Sequence, residues 1–356
     1  MAPVRVMVMV GVALTMMACG GNGVPPPDAA RMDARSADAP PITGWREVPF
    51  QPIPARPFLC VQGVGGEVFF SGGSIGTGKG SLALRFDGQW HELDLQVEET
   101  LWWLWPRARD DVWFVGEKGI AVHWDGTRAM TTRLGTDATL FGVWGAGDEV
   151  WAVGGSPTSM GDNDLLYHFD GTAWTKVAPP AALGVAYLKV WGSGPRDVFV
   201  VGRQGVIVHY DGQRWARQES GSQAILTTVH GTGPRDVWAV GGPPAVVLHY
   251  DGTGWSPQAG GLGWRSAAAS GVWAEADGTV WVVGWGGEAW RRKSGTWVDE
   301  TPATFAQDLH VVWADGLGNA FAGGGSFLAP ASATLVRRGF LGRYGSAVPA
   351  GTVSTP

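Results

Sequence analysis

Four histidines, His123, His168, His209 and His249, each stand two residues before the aspartate of an Asp-Gly pair. Imidazole beside carboxylate is the chemistry of general bases and metal ligands, provided that the side chains converge. Here the spacing argues against convergence, because the histidines recur at intervals of 40 to 45 residues. Each belongs to one copy of a repeated unit, so the aspartate is read as capping a tight turn and the histidine as packing beside it. His230 stands outside that frame, where other copies have tryptophan. It is placed on an innermost strand, facing an axial channel or lying hydrogen-bonded in the core. Asp162, Asn163 and Asp164 could offer oxygens to calcium, but their number and spacing fall short of a known binding loop and suit a solvated turn. No paired carboxylates, nucleophile elbow, phosphate-binding loop or metal-ligand cluster emerges. No catalytic residue, metal or cofactor is assigned.

The elements that must position these residues come from the repeat. Gly88, Gly126, Gly171, Gly212, Gly252, Gly295 and Gly339 align as turn glycines 38 to 45 residues apart. Seven units of that length match four-stranded propeller blades. Within a unit, a strand ending in "VWG" precedes a turn such as "GPRD" and a second strand such as "DVWAVG". A third strand such as "VIVHYDG" follows, and a short fourth begins at Trp90, Trp174, Trp215, Trp255 or Trp297. A strand such as "DVFVVG" is apolar at nearly every position, which requires cover on both faces, as between neighbouring blades. No segment carries a long 3.6-residue period. The fold class expected is all-β: a seven-bladed β-propeller with almost no helix outside the leader.

Ring closure is the remaining demand, since an open ring exposes an unpaired strand edge. The seventh unit supplies "DLHVVWA", "NAFAGG" and "ATLVRRG" but no tryptophan after its turn. "GWREVPF", residues 44–50, matches the missing strand; "FLGRYGS" with Tyr344 in place of tryptophan is the alternative.

With 356 residues and a net charge of −6, the chain has scattered rather than clustered basic residues, which excludes a nucleic-acid partner. Its 56 glycines and 21 tryptophans suit short buried strands joined by tight turns. Arg5, the short apolar run "VMVMVGVALTMMA" and Ala18 before Cys19 form an export signal too short to span a bilayer. "MMAC" resembles the lipobox of bacterial lipoproteins, with Met16 at the usual leucine position; the resemblance implies a lipidated Cys19 as mature N-terminus, and Gly20 resembles outer-membrane sorting. Residues 1–18 are then the signal peptide, 19–41 a Pro/Ala/Asp-rich disordered tether, 42–347 the propeller and 348–356 a flexible tail. Cys60 is left without a disulfide or zinc partner and reads as a small buried residue.

The "DG..W" turns resemble the Asp-box of sialidase-like propellers, keeping its Asp, Gly and Trp but not its Ser and Thr. In that family the box is a structural turn. As a whole, "VWG..PRDVWAVG...I.HYDG..W" is similar to repeats of surface-anchored bacterial propeller lipoproteins, labelled BNR-like, and distantly to tectonin repeats, over Gly44 to Ala347. The units differ most in their second-to-third-strand connections, short in "GRQG" but long in "GGSIGTGKGS", "GGSPTSMGDND" and "GGGSFLAPASA", and in the blade-to-blade links. In a propeller both sets emerge on one face. That face would present Lys79, Asp162, Asn163, Asp164, Tyr187, Arg203, Trp264 and Arg265, with Trp264 able to stack on a sugar or pack in the core. The expectation is a monomeric binding or scaffolding module for a protein or glycan, exported and attached to the outer membrane only by its lipid. A glycan-active hydrolase or lyase using the same face is the rival.

Overall fold

The computed structural model describes residues 44–51, 56–74, 80–156, 162–179, 183–258, 263–325 and 339–353. Cys19, Lys79 and the centres of the three long second-to-third-strand loops lie outside them. Among the described residues there are seven four-stranded antiparallel sheets, one two-stranded sheet, and three single-turn 3-10 segments. The innermost strands are Phe58–Val64, Leu101–Ala108, Thr139–Ala146, Tyr187–Gly194, Leu226–Gly233, Ala269–Ala274 and Leu309–Ala314, heading blades 1 to 7 in turn. Each packs against the innermost strands of both neighbours, and the seventh returns to the first. The chain is therefore an all-β, seven-bladed propeller.

The "VWG" motif follows from how adjacent blades meet at the axis. A Cβ on Gly192 of blade 4 would lie 2.6 Å from the Trp144 ring of blade 3, and one on Gly231 of blade 5 would lie 2.8 Å from Trp191 of blade 4. The same holds for Gly145 under Trp105 and, across the ring seam, for Gly63 under Trp313. Each of these four tryptophans thus lies on the glycine of the next blade, a space that a Cβ there would fill. Where blade 5 has His230 instead, blade 6 has Ala274 in the glycine position, and the Ala274 N–H donates to His230 Nδ1 at 3.0 Å.

A second aromatic layer lies further out. In blades 2 to 5 the aromatic residue of the second strand meets the fourth-strand tryptophan of the next blade: Trp113 with Trp174 at 5.7 Å, Trp151 with Trp215 at 5.3 Å, Phe199 with Trp255 at 6.1 Å, Trp238 with Trp297 at 6.2 Å. Rings of this size bury large areas and prefer such tilted and edge contacts. This is why tryptophan recurs in register at the start of the fourth strand.

The fourth strand of blade 7 is Trp45–Glu47, which pairs antiparallel with Gly339–Tyr344 in the register Trp45 to Tyr344. Trp45 then meets Trp281 of blade 6 at 5.7 Å, the contact made by fourth-strand tryptophans elsewhere. The third strand of blade 7 is Gly339–Tyr344, not "ATLVRRG", of which residues 333–338 lie outside the described residues. Gly339 opens that strand, and the glycine with positive φ after it is Gly345. Nor is the C-terminal segment wholly a tail: Gly351–Thr352 pairs in parallel with Phe50–Gln51, Val353 is buried, and Trp90 Nε1 donates to Pro349 O at 3.0 Å.

Candidate functional site

The four frame histidines resolve into one structural device. Each faces an aromatic residue across the strand pair and meets an acid at the start of the second strand. His209 stacks on Phe199 at 4.0 Å with Nε2 2.6 Å from Asp197; His249 lies on Trp238 at 4.4 Å with Nε2 2.8 Å from Asp236. His123 pairs with Asp111 over Trp113, and His168 with Glu149 over Trp151. In blades 1, 6 and 7 an arginine takes the place: Arg85 opposite Phe69, Arg291 over Trp281, Arg343 over Phe321. The turn aspartates act separately, as Asp211 does in accepting from the N–H groups of Gln213 and Arg214, both at 2.9 Å. The hydrogen bond from His249 is the largest influence holding the Asp236 carboxyl down at about 2.

The candidate residues on the loop face are largely engaged in holding that face together. Asp164 is buried with φ +51° and accepts from Gly184 N at 2.6 Å, pinning the link into blade 4. Asn163 Oδ1 accepts from Ser156 N at 3.2 Å, and Asp162 accepts from Thr136 Oγ1 at 2.6 Å. All three therefore knot the loop base to its neighbours. Tyr187 is not presented at all: it is fully buried in the core between blades, and burial pushes its hydroxyl up. Arg203 opens the tight "RQG" turn, where a Cβ on Gly205 would meet Ser222 O at 1.8 Å. Trp264 packs against the Gly284 backbone and the blade 5–6 core. Arg265 is exposed but paired to Asp299 at 2.7 Å and to Glu288 at 3.5 Å, and Glu288 also accepts from the Arg265 and Ser266 backbone N–H groups. His230 lies at the opposite end of the axis, stacked on Trp273 at 3.8 Å and held at about 3 by burial. The set does not converge on one site.

What does converge is the axis. Each innermost strand starts on the loop face, since its first residue pairs with the end of the second strand, as Leu226 does with Gly241. Its second residue, or the third in the blade 3 strand that begins one residue earlier, gives a ring at the loop-face mouth: Leu59, Trp102, Phe141, Leu188, Thr227, Ser270 and His310. These enclose, with Trp285, a cavity of about 180 Å3. A second cavity of about 140 Å3 lies toward the far mouth, among Trp105, Trp144, Trp191, His230 and Trp273. Both are bounded at the waist by Trp103, Lys189 and Thr228. Lys189 is 8% exposed; its Nζ donates to Phe141 O at 2.8 Å and lies 4.2 Å from the Trp103 ring centre. Burial brings its ammonium down to about 7, against a smaller opposing pull from Cys60. Cys60 is fully buried, its thiol 3.7 Å from Leu104 O and pushed up by burial.

Lys189 was not among the candidates read from the sequence. The signal was present in "KVWG", where an innermost strand otherwise built of apolar and small residues carries a lysine.

No protein-family model matches the chain. Among curated proteins it is similar to the immune protein Tsi7 of Pseudomonas aeruginosa, 34% identical over 86 residues, which is 22% of this chain. The chain spans 28% of the length of that relative. Among solved structures it is similar to YCF48 from Cyanidioschyzon merolae, at 13% identity and TM-score 0.59 over 85% of this chain and 98% of that one. It is likewise similar to the WD40 repeats of RRP9, at 10% identity and TM-score 0.65 over 86% of this chain and 100% of that one. The WD40 propeller of Doa1 aligns at 11% identity and TM-score 0.59, over 86% and 97% of the two chains. At these identities the likeness is one of fold.

Proposed function

We propose that the chain is a binding or scaffolding propeller that engages a protein or glycan through the face bearing the second-to-third-strand loops and the blade links. One observation carries this reading: on that face the axis opens into an apolar mouth with half-buried Trp102, Leu188 and Trp285, surrounded by the segments that differ most between blades. The repeating histidine–acid pairs, by contrast, sit one per blade around the ring, each occupied within its own sheet. The name of the partly matching relative, an immune protein, is a reason to test protein partners before glycans. The decisive experiment is a pull-down and a glycan array with the fragment from Ile42 onward. Retention of a defined partner, lost in Trp102→Ala or Trp285→Ala, supports the reading. Turnover of a polysaccharide with no retained partner overturns it in favour of a hydrolase or lyase.

The same proposal includes attachment to the outer membrane through a lipidated Cys19, with the mature tether giving the propeller reach. It rests on the export signal and the small residue before the cysteine. Cys19→Ala should release the protein into the soluble fraction, and unchanged membrane fractionation would refute the anchor.

A further inference from the structure

The waist of the channel holds a cation without a counter-ion. Among the described residues no carboxylate pairs with Lys189; its Nζ makes one hydrogen bond, to Phe141 O at 2.8 Å, and otherwise faces the Trp103 ring and the cavity. An ammonium has three donors, so two remain for whatever occupies that space. The other ionisable groups around it carry no compensating charge. The Cys60 thiol is pushed up by burial, and burial holds His310 and His230 at about 3, leaving all three neutral near pH 7. A buried charge of this kind is stable only when an anion joins it or when it sheds its proton.

The space beside Lys189 has a defined shape. The cavity on the loop-face side, about 180 Å3, is walled by Trp102, Phe141 and Trp285, with Thr228 and Ser270 also lining it. An apolar cavity of roughly 150 Å3 accommodates one benzene ring. We propose that the loop-face half of the axial channel binds an acid that bears one carboxylate and one aromatic ring, the carboxylate meeting Lys189 Nζ and the ring lying among Trp102, Phe141 and Trp285. Two carriers present that chemistry: a free aromatic acid, and the C-terminal aromatic residue of a peptide entering from the loop face. The site shares Trp102 and Trp285 with the mouth described above; Lys189→Met separates the two readings, since it should lose the acid and keep a partner held by the loops.

Binding also has a proton signature. Burial holds Lys189 near 7, and an anion beside it stabilises the ammonium, so binding takes up a proton at higher pH. Affinity is then level below about pH 7 and weakens about tenfold per pH unit above it, until the pKa of the occupied site is reached. Cys60, His310 and His230 stay neutral across this range and do not add to the slope.

The test titrates the full chain with benzoate, with benzyl alcohol as its neutral counterpart, and with a tripeptide ending in phenylalanine as free acid and as amide. Tryptophan fluorescence and calorimetry report binding between pH 6 and pH 9. The expected result is saturable binding of benzoate or the free-acid peptide, about tenfold or more tighter than the neutral partner and weakening above pH 7. Lys189→Met, checked for native circular dichroism, should lose it. Benzoate binding alone assigns the site to free acids, and binding of the peptide alone assigns it to a C-terminus. Failure of both at millimolar concentration overturns the proposal. So does binding that ignores pH and is matched by the neutral partners, or that survives in folded Lys189→Met. Should Lys189→Met not fold, the pH profile and the neutral comparison on the unaltered chain decide the question.

Discussion

The His249 imidazole uses both of its surfaces: its face lies on Trp238, and its Nε2 donates to Asp236 at 2.8 Å. With Thr232 and Trp238 Nε1 also donating to that carboxylate, the ionised form is strongly favoured, and Asp236 is held at about 2. Its ordinary value is near 3.9, so the stabilisation is complete above about pH 4 and disappears as pH falls toward 2. Asp236→Asn should cost about 1 kcal/mol at pH 6 in chemical denaturation, discounted for the partial exposure of the site, and the gap to the unaltered protein should close between pH 4 and pH 2. A gap that persists at pH 2 would contradict the assignment. Lys189 slopes the same way in a higher pH window, but there the folded state gives up a proton rather than gaining a partner. Unfolded, it keeps its proton to about 10.4, while in the channel it gives the proton up above about 7. The unfolded state then binds more protons between these values, and stability rises with pH from 7 to 9. Lys189→Met should flatten that rise in urea titrations and should be the more stable protein at pH 6. The turn aspartates and the histidine frame were legible in the sequence because they repeat. The acids that pair with the histidines were not, because they lie on the preceding strand, 12 residues upstream for Asp111 and His123, and only pairing brings them together.

At the scale of the strand, the tryptophan and glycine of "VWG" interact across blades rather than within one. A side chain at Gly192 would press on Asp197 O at 2.4 Å, within its own hairpin, and on the Trp144 ring at 2.6 Å. Gly192→Val should therefore destabilise by about 1–3 kcal/mol, as overpacked sites do, seen as a lower thermal midpoint. Gly194, two residues on, has nothing within 4 Å of an added Cβ, and Gly194→Ala is the matched control with a small expected effect. Equal effects at the two positions would count against the interlock. The seven units were legible because a turn glycine marks each period. The seventh was misplaced for the same reason: Gly339 fits the spacing, yet it begins the strand Gly339–Tyr344, and the turn after that strand leads to no local fourth strand. The long loops of blades 1, 3 and 7 carry the least repetition, and the ring of residues at the channel mouth is set by strand position alone, so Trp102, Phe141 and Trp285 could be grouped only once the blades were placed around an axis.

For the whole molecule, the decisive junction is the one that joins the ends of the chain. Trp45–Glu47 covers the outer edge of Gly339–Tyr344, and Trp45, 8% exposed, packs among Trp281, Phe305 and Tyr344. The parallel pair Phe50–Gln51 with Gly351–Thr352 fastens the chain a second time beside blade 1, where Phe50 meets Trp90 at 4.9 Å. Every other blade is a local hairpin series, so among the described residues only this blade and the Phe50–Gln51 pair with Gly351–Thr352 join strands from the two ends of the chain. Losing the Trp45 ring should cost about 3–5 kcal/mol, the usual range for truncating a buried aromatic. Deleting residues 44–51 should do more, because it leaves Gly339–Tyr344 with unpaired backbone groups along an apolar edge open to a second chain. The deletion variant is expected to unfold at lower temperature and to gain mass on light scattering, while Trp45→Ala, which keeps the backbone pairing, keeps the mass of the unaltered protein. A synthetic peptide of residues 42–51 added in trans should restore the mass of the unaltered protein saturably, as mass action requires for a strand that binds only the folded ring. If the deletion variant kept the mass and the melting temperature of the unaltered protein, the N-terminal strand would not be what holds the propeller shut.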